Sequence, residues 1–246
     1  MRAKGGNPMK KILGIGCLTI ILLIVGISSF VGYKVATTVR GMAKSKDLGL
    51  SATREQADAA QKKTSVAVNT LPSDAPIAGS IRYEGSIPKT YELDSNELTA
   101  LALSHARYKY FPFKNIQIRV NADNTVEISC VADTMKAFSY ATAIGFAAAD
   151  LEKVMTEYKI PRTTIPLYVK GSGSVTNGKV ELNLTAGEVA GIPVPMGLVN
   201  DKKSEIINIV ETGIRKTSGL VAKSITFNDG KVHFDGMVPE KKYIVE

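Results

Sequence analysis

The chain is poor in the residues that metal sites, disulfide scaffolds and nucleophilic active sites require. Its 246 residues include two histidines, two cysteines and no tryptophan. Cys17 lies in an apolar run and Cys130 stands alone in an alternating segment, so no disulfide forms within one domain. The His and Cys residues lack zinc spacing, and the HExxH, GxSxG and phosphate-loop motifs are missing. We therefore expect no enzyme, no metal and no cofactor; the alternative is a catalytic cluster assembled only by folding.

Positive charge is concentrated at the beginning of the chain. The sequence has 31 Lys and Arg against 23 Asp and Glu, a formal net charge of +8. Eight of these bases and one acid lie in residues 1–47, which leaves the remainder close to neutral. Because the basic excess flanks one apolar run, membrane topology explains it better than nucleic-acid binding does. We expect no nucleic-acid partner.

An uncharged apolar run of 22 residues, 12–33, predicts a transmembrane anchor. A helix of this length spans about 33 Å, enough for the hydrocarbon core of ~30 Å. A cleaved signal peptide is the alternative, but apolar residues continue beyond the small-residue site Gly26-Ile27-Ser28. A lipoprotein site at Cys17 fits poorly, because Gly14 stands where a large aliphatic residue is needed. We expect an uncleaved, single-pass signal anchor.

Basic residues do not decide the orientation of this anchor, since four precede it and four follow it. Residues 1–11 are predicted to be a cytoplasmic tail, because the tail is short and Lys10 and Lys11 adjoin the helix. The lipid bilayer is then the partner of residues 12–33. The rest of the chain is expected to be extracytoplasmic at the cell membrane.

Composition divides the remaining chain into a connection and a domain. Residues 34–79 predict a juxtamembrane helix, in ATREQADAAQKK, and then a linker interrupted by Pro72, Pro76 and Gly79. Residues 80–246 predict an α+β domain in which a curved antiparallel sheet of hairpins packs on helices. We expect residues 80–246 to fold alone as a monomeric unit.

Local signals in their chain order predict this fold class. Asp94 and Glu97 form a capping box that opens a helix, and Asn177-Gly178 suits a type I′ turn between two alternating runs. The predicted elements are a strand at 80–87, a helix at 95–108, a hairpin about Asp123-Asn124, a helix at 136–158, a hairpin of 165–175 and 179–189, a helix at 201–217 and a hairpin of 223–228 and 231–238. This order is typical of an α+β domain with an antiparallel sheet.

Two apolar segments are candidates for a ligand-binding groove. One is a Gly/Ala-rich segment, and the other is a loop that displays apolar side chains between two prolines. They contain seven candidate groove residues: Phe138, Tyr140, Ile144, Phe146, Ile192, Val194 and Met196. The alternative is that both segments close the hydrophobic core. Interleaved bases and aromatics at 107–111 fit a lipid headgroup contact better than nucleic acid beside an anchor.

Four motifs stand out along the predicted domain: the SNELTAL run at 95–101, NGKV at 177–180, the VAGIPVP loop at 189–195 and the closing hairpin with Asp229-Gly230. Together they resemble the YpmS-like family, small membrane-anchored proteins of Gram-positive bacteria. The layout is also similar to that of LmeA-type envelope proteins, which are associated with phospholipid binding. The resemblance implies one N-terminal anchor, an extracytoplasmic domain and no catalytic motif.

The sequence therefore predicts a non-enzymatic, membrane-tethered envelope protein that binds a lipid or other amphiphile in an apolar groove. Burial of each methylene contributes about 0.8 kcal/mol, so an acyl chain needs little polar recognition. The alternative function is an envelope assembly module that holds a partner protein near the membrane.

Overall fold

The computed structural model describes residues 44–157 and 160–246. The expected cytoplasmic tail at 1–11 and the expected anchor at 12–33 lie outside the described residues. No helix in the described part combines the length and apolar character that crossing a membrane requires.

The described residues form six α-helices and eleven β-strands. The helices are α1 (Arg54–Thr64), α2 (Ser95–Ser104, followed by the 3₁₀ turn His105–Arg107), α3 (Thr134–Ala143), α4 (Ala148–Glu157), α5 (Met196–Asp201) and α6 (Lys203–Lys216). The strands are β1 (Ala67–Leu71), β2 (Ile81–Glu84), β3 (Ile87–Asp94), β4 (Phe113–Val120), β5 (Val126–Asp133), β6 (Thr164–Thr176), β7 (Lys179–Val189), β8 (Ile192–Pro193), β9 (Val221–Asn228), β10 (Lys231–Val238) and β11 (Lys241–Val245).

The strands form two sheets. The large sheet has the order β3-β10-β9-β6-β5-β4, with β7 on the other edge of β6 and β8 beyond β7. All its pairings are antiparallel. The small sheet has the order β1-β11-β2, and β1 runs parallel to β11. The predicted α+β class, with a mostly antiparallel sheet packed on helices, is confirmed.

The large sheet divides along β6. One edge of this 13-residue strand pairs with β7 from Leu167 to Thr176. The opposite edge is shared, because β5 pairs with residues 164–171 and β9 pairs with Val175 and Thr176. Residues 172–174 have no described strand partner on that edge. We call residues 172–174 the fork.

Residues 44–79 pack against the predicted domain. The helical part of the prediction is present as α1, but the stretch expected to be a linker contains β1, which pairs with β11 from Ala67 opposite Lys241. Leu48, Ala60 and Val66 are buried. The segments that contain these residues resemble a connection in the sequence, but they pack against parts of the domain that are distant along the chain.

Two other predicted elements have different limits. The segment expected to be one helix at 136–158 forms α3 and α4, separated at Gly145, whose φ of 89° ends the first helix. The strand predicted at 80–87 ends earlier, as β2, and a separate strand, β3, begins at Ile87 and contains Pro88 opposite Met237. Proline is compatible with an edge strand, and β3 is an edge of the large sheet.

Candidate functional site

The structure brings the two predicted apolar segments together. Tyr140, Ile144 and Val194 are buried members of the largest hydrophobic cluster. Half-buried partners on the same cluster are Phe146, Ile192 and Met196, whereas Phe138 is half-buried on α3 outside it. The three buried residues have almost no surface left for a ligand, so their placement agrees with the alternative that these segments close the core.

An open groove of about 560 Å³ lies beside the fork. We call it the fork groove. It is bordered by the β6–β7 hairpin, the first turns of α6, the end of β9 and the turn before β5. Its apolar side chains are Val180, Leu182, Ile207 and Phe227, all half-buried. The fork groove is therefore a concave surface with one apolar wall and a polar remainder, which the protein itself leaves partly uncovered.

The walls of the fork groove come from three separate hydrophobic clusters. Leu182 packs against the large cluster that contains Val194, and Phe227 packs against the cluster of Leu93 and Val232. Val180 packs against the cluster of α6. Because these clusters approach one another without merging, the side chains at their margins stay half-buried. That arrangement provides apolar contact area for a ligand.

Gly173 is one of the residues that line the fork groove. A Cβ at this position would lie 2.6 Å from the carbonyl oxygen of Glu181 on β7, so the close approach of the two strands requires glycine. Continuing the register of β5 and of β9 would place Asn124 and Phe227 opposite Gly173. Both residues line the groove instead. The two strands thus diverge here, and the gap between them is the groove.

Polar side chains at the hairpin lie on the other face of the sheet. Ser172 is opposite Asn183 and Ser174 is opposite Glu181, and such cross-strand pairs alternate with Gly173 and its partner Leu182. The Ser174 hydroxyl donates a hydrogen bond to Glu181 at 3.4 Å. These four residues border the fork groove, but their polar side chains do not supply its apolar surface.

The first described residues cross the face of the large sheet opposite to the one that carries Val180 and Leu182. Lys46 Nζ lies 3.8 Å from the ring centroid of Tyr168 and 3.0 Å from a Glu188 carboxylate oxygen. The Leu48 amide donates a hydrogen bond to the side-chain oxygen of Gln117. We call residues 44–49 the strap. The strap and the fork groove thus occupy opposite faces of the large sheet.

Tyr168 contacts both the strap, through the Lys46 ammonium over its ring, and the neighbouring strand, through its hydroxyl. Its hydroxyl donates a hydrogen bond of 2.9 Å to Glu127. Burial, and then this hydrogen bond and the charge of Glu127, raise the pKa of Tyr168 to about 12. Tyr168 therefore stays neutral at physiological pH and acts as a donor below the Lys46 ammonium.

A smaller groove of about 380 Å³ lies between the strap and the edge of β4. Lys44 and Asp47 border it on one side, and Leu103, Asn115 and Gln117 border it on the other. Gln117 also donates a hydrogen bond to Asp47 at 3.1 Å. This hydrogen bond, and the one that Gln117 accepts from the Leu48 amide, engage Asp47 and Gln117 of its polar rim within the protein.

The two histidines have different environments. His105 is buried, its Nε2 has no hydrogen-bond partner in the described part, and its ring meets Phe111 edge-on at 6.0 Å. His233 lies on β10 with its Nδ1 3.1 Å from Glu92. Within residues 44–157 and 160–246 there is no group of three or more His, Cys, Asp or Glu residues that could hold a metal ion.

Comparison with known proteins yields no relative: no protein-family model, no curated protein and no solved structure matches the chain. The resemblance to the YpmS-like family therefore stays a prediction from the motifs.

Proposed function

We propose that this chain is a non-enzymatic, membrane-tethered envelope protein that holds a lipid or other amphiphile in the fork groove. The supporting observation is the half-buried apolar wall that three hydrophobic clusters present to one groove. Its volume of about 560 Å³ lies within the usual range for ligand sites. Burial of six methylenes there would contribute about 5 kcal/mol before the costs of association.

The expected anchor at 12–33 makes an amphiphile the natural ligand. With the N-terminus inside, the domain lies outside the cytoplasm at the cell membrane. Ten residues, 34–43, separate the anchor from the strap. When fully extended they span at most about 36 Å. The domain is thereby kept close to the lipid from which a ligand would come.

The fork groove replaces the seven sequence candidates as the centre of this site. Among those candidates Phe138, Phe146, Ile192 and Met196 retain exposed surface, but the lining of the fork groove does not include them. Lys216 Nζ already lies 5.2 Å from the Phe146 ring centroid. Tyr140, Ile144 and Val194 support the site only through the core.

Native mass spectrometry of the full chain, released from detergent micelles, tests the proposed function. Wild type is expected to retain a bound lipid, and Leu182→Asn or Ile207→Asn is expected to lose it, because each places an amide on the apolar wall. Val221→Asn is the matched control, since Val221 is 56% exposed and lies outside the fork groove. Equal lipid retention by all four chains would rule out the fork groove as the binding site.

An assembly role is the second candidate function, and strand β1 favours it. Residues 67–70 are exposed, and β11 is the described partner of β1 on one edge. The other edge has no described strand, so a partner protein could add a strand there. A photoreactive residue in place of Asn69 should crosslink a discrete protein in intact cells; crosslinking to lipid alone would disfavour this role.

A further inference from the structure

Lys203 lies at the border of the fork groove, in the first turn of α6. Ile207, one turn later on the same helix face, contributes to the apolar wall. Lys203 is exposed, and no hydrogen bond or ion pair joins it to any residue in the described part of the chain. Its neighbour Lys202 instead forms an ion pair of 2.6 Å with Glu205.

Lys203 supplies the charge on the apolar side of the groove. Glu181 is the other charged residue that borders it. Glu181 is paired across the hairpin with Ser174, and strand alternation turns this pair away from the face of Val180 and Leu182. Val180 packs against Val210 and Ile214, so that face is the one covered by α6. Of the two charged residues that border the groove, Lys203 is therefore the one on the side of the apolar wall. Glu211 accepts a hydrogen bond of 3.1 Å from the Val180 amide, and its charge is already paired with Lys179 and Arg215.

We propose that the fork groove selects amphiphiles with an anionic head, a carboxylate or a phosphate, through Lys203. This inference rests on the proposed function and specifies its ligand class. The acyl chain lies against Leu182, Ile207 and Phe227, and the anionic group pairs with the Lys203 ammonium at the solvent-exposed border. A neutral lipid with the same chain makes the apolar contacts but leaves Lys203 unpaired.

Photocrosslinking of the full chain in phosphatidylcholine nanodiscs tests this selection. Three probes carry the same diazirine-labelled acyl chain and are added in trace amounts: a fatty acid, a phosphatidic acid and a diacylglycerol. After irradiation, mass spectrometry of peptides locates the adducts. We expect adducts in the peptides of β7 and α6, with a yield up to about fivefold higher for the anionic probes, the upper limit for an exposed ion pair.

Three variants separate charge from packing. Lys203→Gln should lower the yield of the anionic probes to that of the diacylglycerol, and Lys203→Arg should preserve the difference. Lys202→Gln is the matched control, because it removes a neighbouring lysine that does not border the groove. A preference for the fatty acid over the phosphatidic acid, or the reverse, identifies which anion is the source.

The two proposals fail in distinguishable ways. Absence of adducts in β7 and α6 with every probe overturns both the groove and its selectivity. Equal yields for all three probes in wild type, or an anionic preference that survives Lys203→Gln, overturns only the role of Lys203. Loss of the preference in Lys202→Gln to the same extent also overturns it, because the effect would then be general surface charge.

Discussion

The hydroxyl of Thr99 on α2 accepts a hydrogen bond of 2.9 Å from the amide of Ile118 on β4. One turn earlier, the hydroxyl of Ser95 accepts a bond of the same length from the amide of Val120. Strand β4 is an edge of the large sheet. Two helix side chains thus satisfy amides that would otherwise be open to another strand, and α2 protects the edge from association.

Replacing Thr99 by valine should therefore destabilise the domain. Thr99 is buried, so valine keeps the shape but leaves the Ile118 amide without its acceptor. We expect a loss of about 1–3 kcal/mol in the free energy of unfolding, measured by urea denaturation. Thr99→Ser keeps the hydroxyl and should lose less than Thr99→Val; the opposite order would contradict this assignment.

Residues 44–79 should be required for full stability. A chain of residues 44–246 is expected to unfold cooperatively in detergent-free buffer, because α1, β1 and the strap then keep their partners. A chain of residues 80–246 loses β1 and the buried Leu48, Ala60 and Val66. Circular dichroism melts should show a lower Tm for the shorter chain; equal melts would mean that residues 44–79 are an independent connection.

Short-range patterns made much of this fold predictable. Asp94 and Glu97 form both hydrogen bonds of the capping box, at 2.8 and 3.1 Å. Asn177 and Gly178 adopt the positive φ values, 52° and 76°, that a type I′ turn needs. These features are encoded within a few residues, so the sequence alone is enough to locate them.

The fork groove could not be predicted in the same way. The glycines at 171 and 173 signal an irregular strand, and a register shift does occur between Lys170 and Gly171. The groove itself depends on β5 and β9 leaving the same edge of β6 at neighbouring positions. These strands are about a hundred residues apart, and no local periodicity reports where they diverge. The pairing of β1 with β11 is hidden for the same reason.

Gly219 should tolerate alanine much less well than Gly191. Both have positive φ, 79° and 76°, so both substitutions incur backbone strain. A Cβ at Gly219 would lie 2.1 Å from the carbonyl oxygen of Gly85, whereas a Cβ at Gly191 meets nothing within 4 Å. We expect losses of about 2–5 kcal/mol for Gly219→Ala and about 1–2 kcal/mol for Gly191→Ala, from chemical denaturation. Similar losses at both positions would show that the backbone at Gly85 moves away from the new Cβ at little cost.

His105 should make the domain less stable in mild acid. Burial, and then the charge of Lys242, hold the pKa of His105 well below its ordinary value. In the unfolded chain a histidine has a pKa of about 6.5, so below that pH the unfolded state binds the proton that the folded state excludes. Stability should therefore fall as the pH falls from about 6.5, by at most about 1.4 kcal/mol per pH unit from this group.

His105→Leu should reduce that fall, because leucine fills the site and cannot bind a proton. Phe111→Leu is the packing control: it alters the ring that contacts His105 and keeps the titrating group. Urea denaturation between pH 7 and pH 5 measures the difference. A slope that His105→Leu leaves unchanged would assign the acid sensitivity to other groups.

The two apolar segments offer matched pairs that separate core from ligand surface. Ile144 and Val194 are 3% and 6% exposed, whereas Phe146 and Met196, two residues further along in each segment, are half-buried. A polar group at a core position loses its hydration and leaves a void, so Ile144→Ser and Val194→Asn should each cost several kcal/mol and broaden or abolish the thermal transition. Phe146→Ser and Met196→Asn keep contact with water and should melt as a cooperative domain with a modestly lower Tm.

If lipid adducts on the full chain decrease in the second pair while its melt is retained, Phe146 and Met196 extend the apolar contact of the fork groove. If the second pair melts like the first, all four residues belong to the core, and the ligand surface is limited to the fork groove.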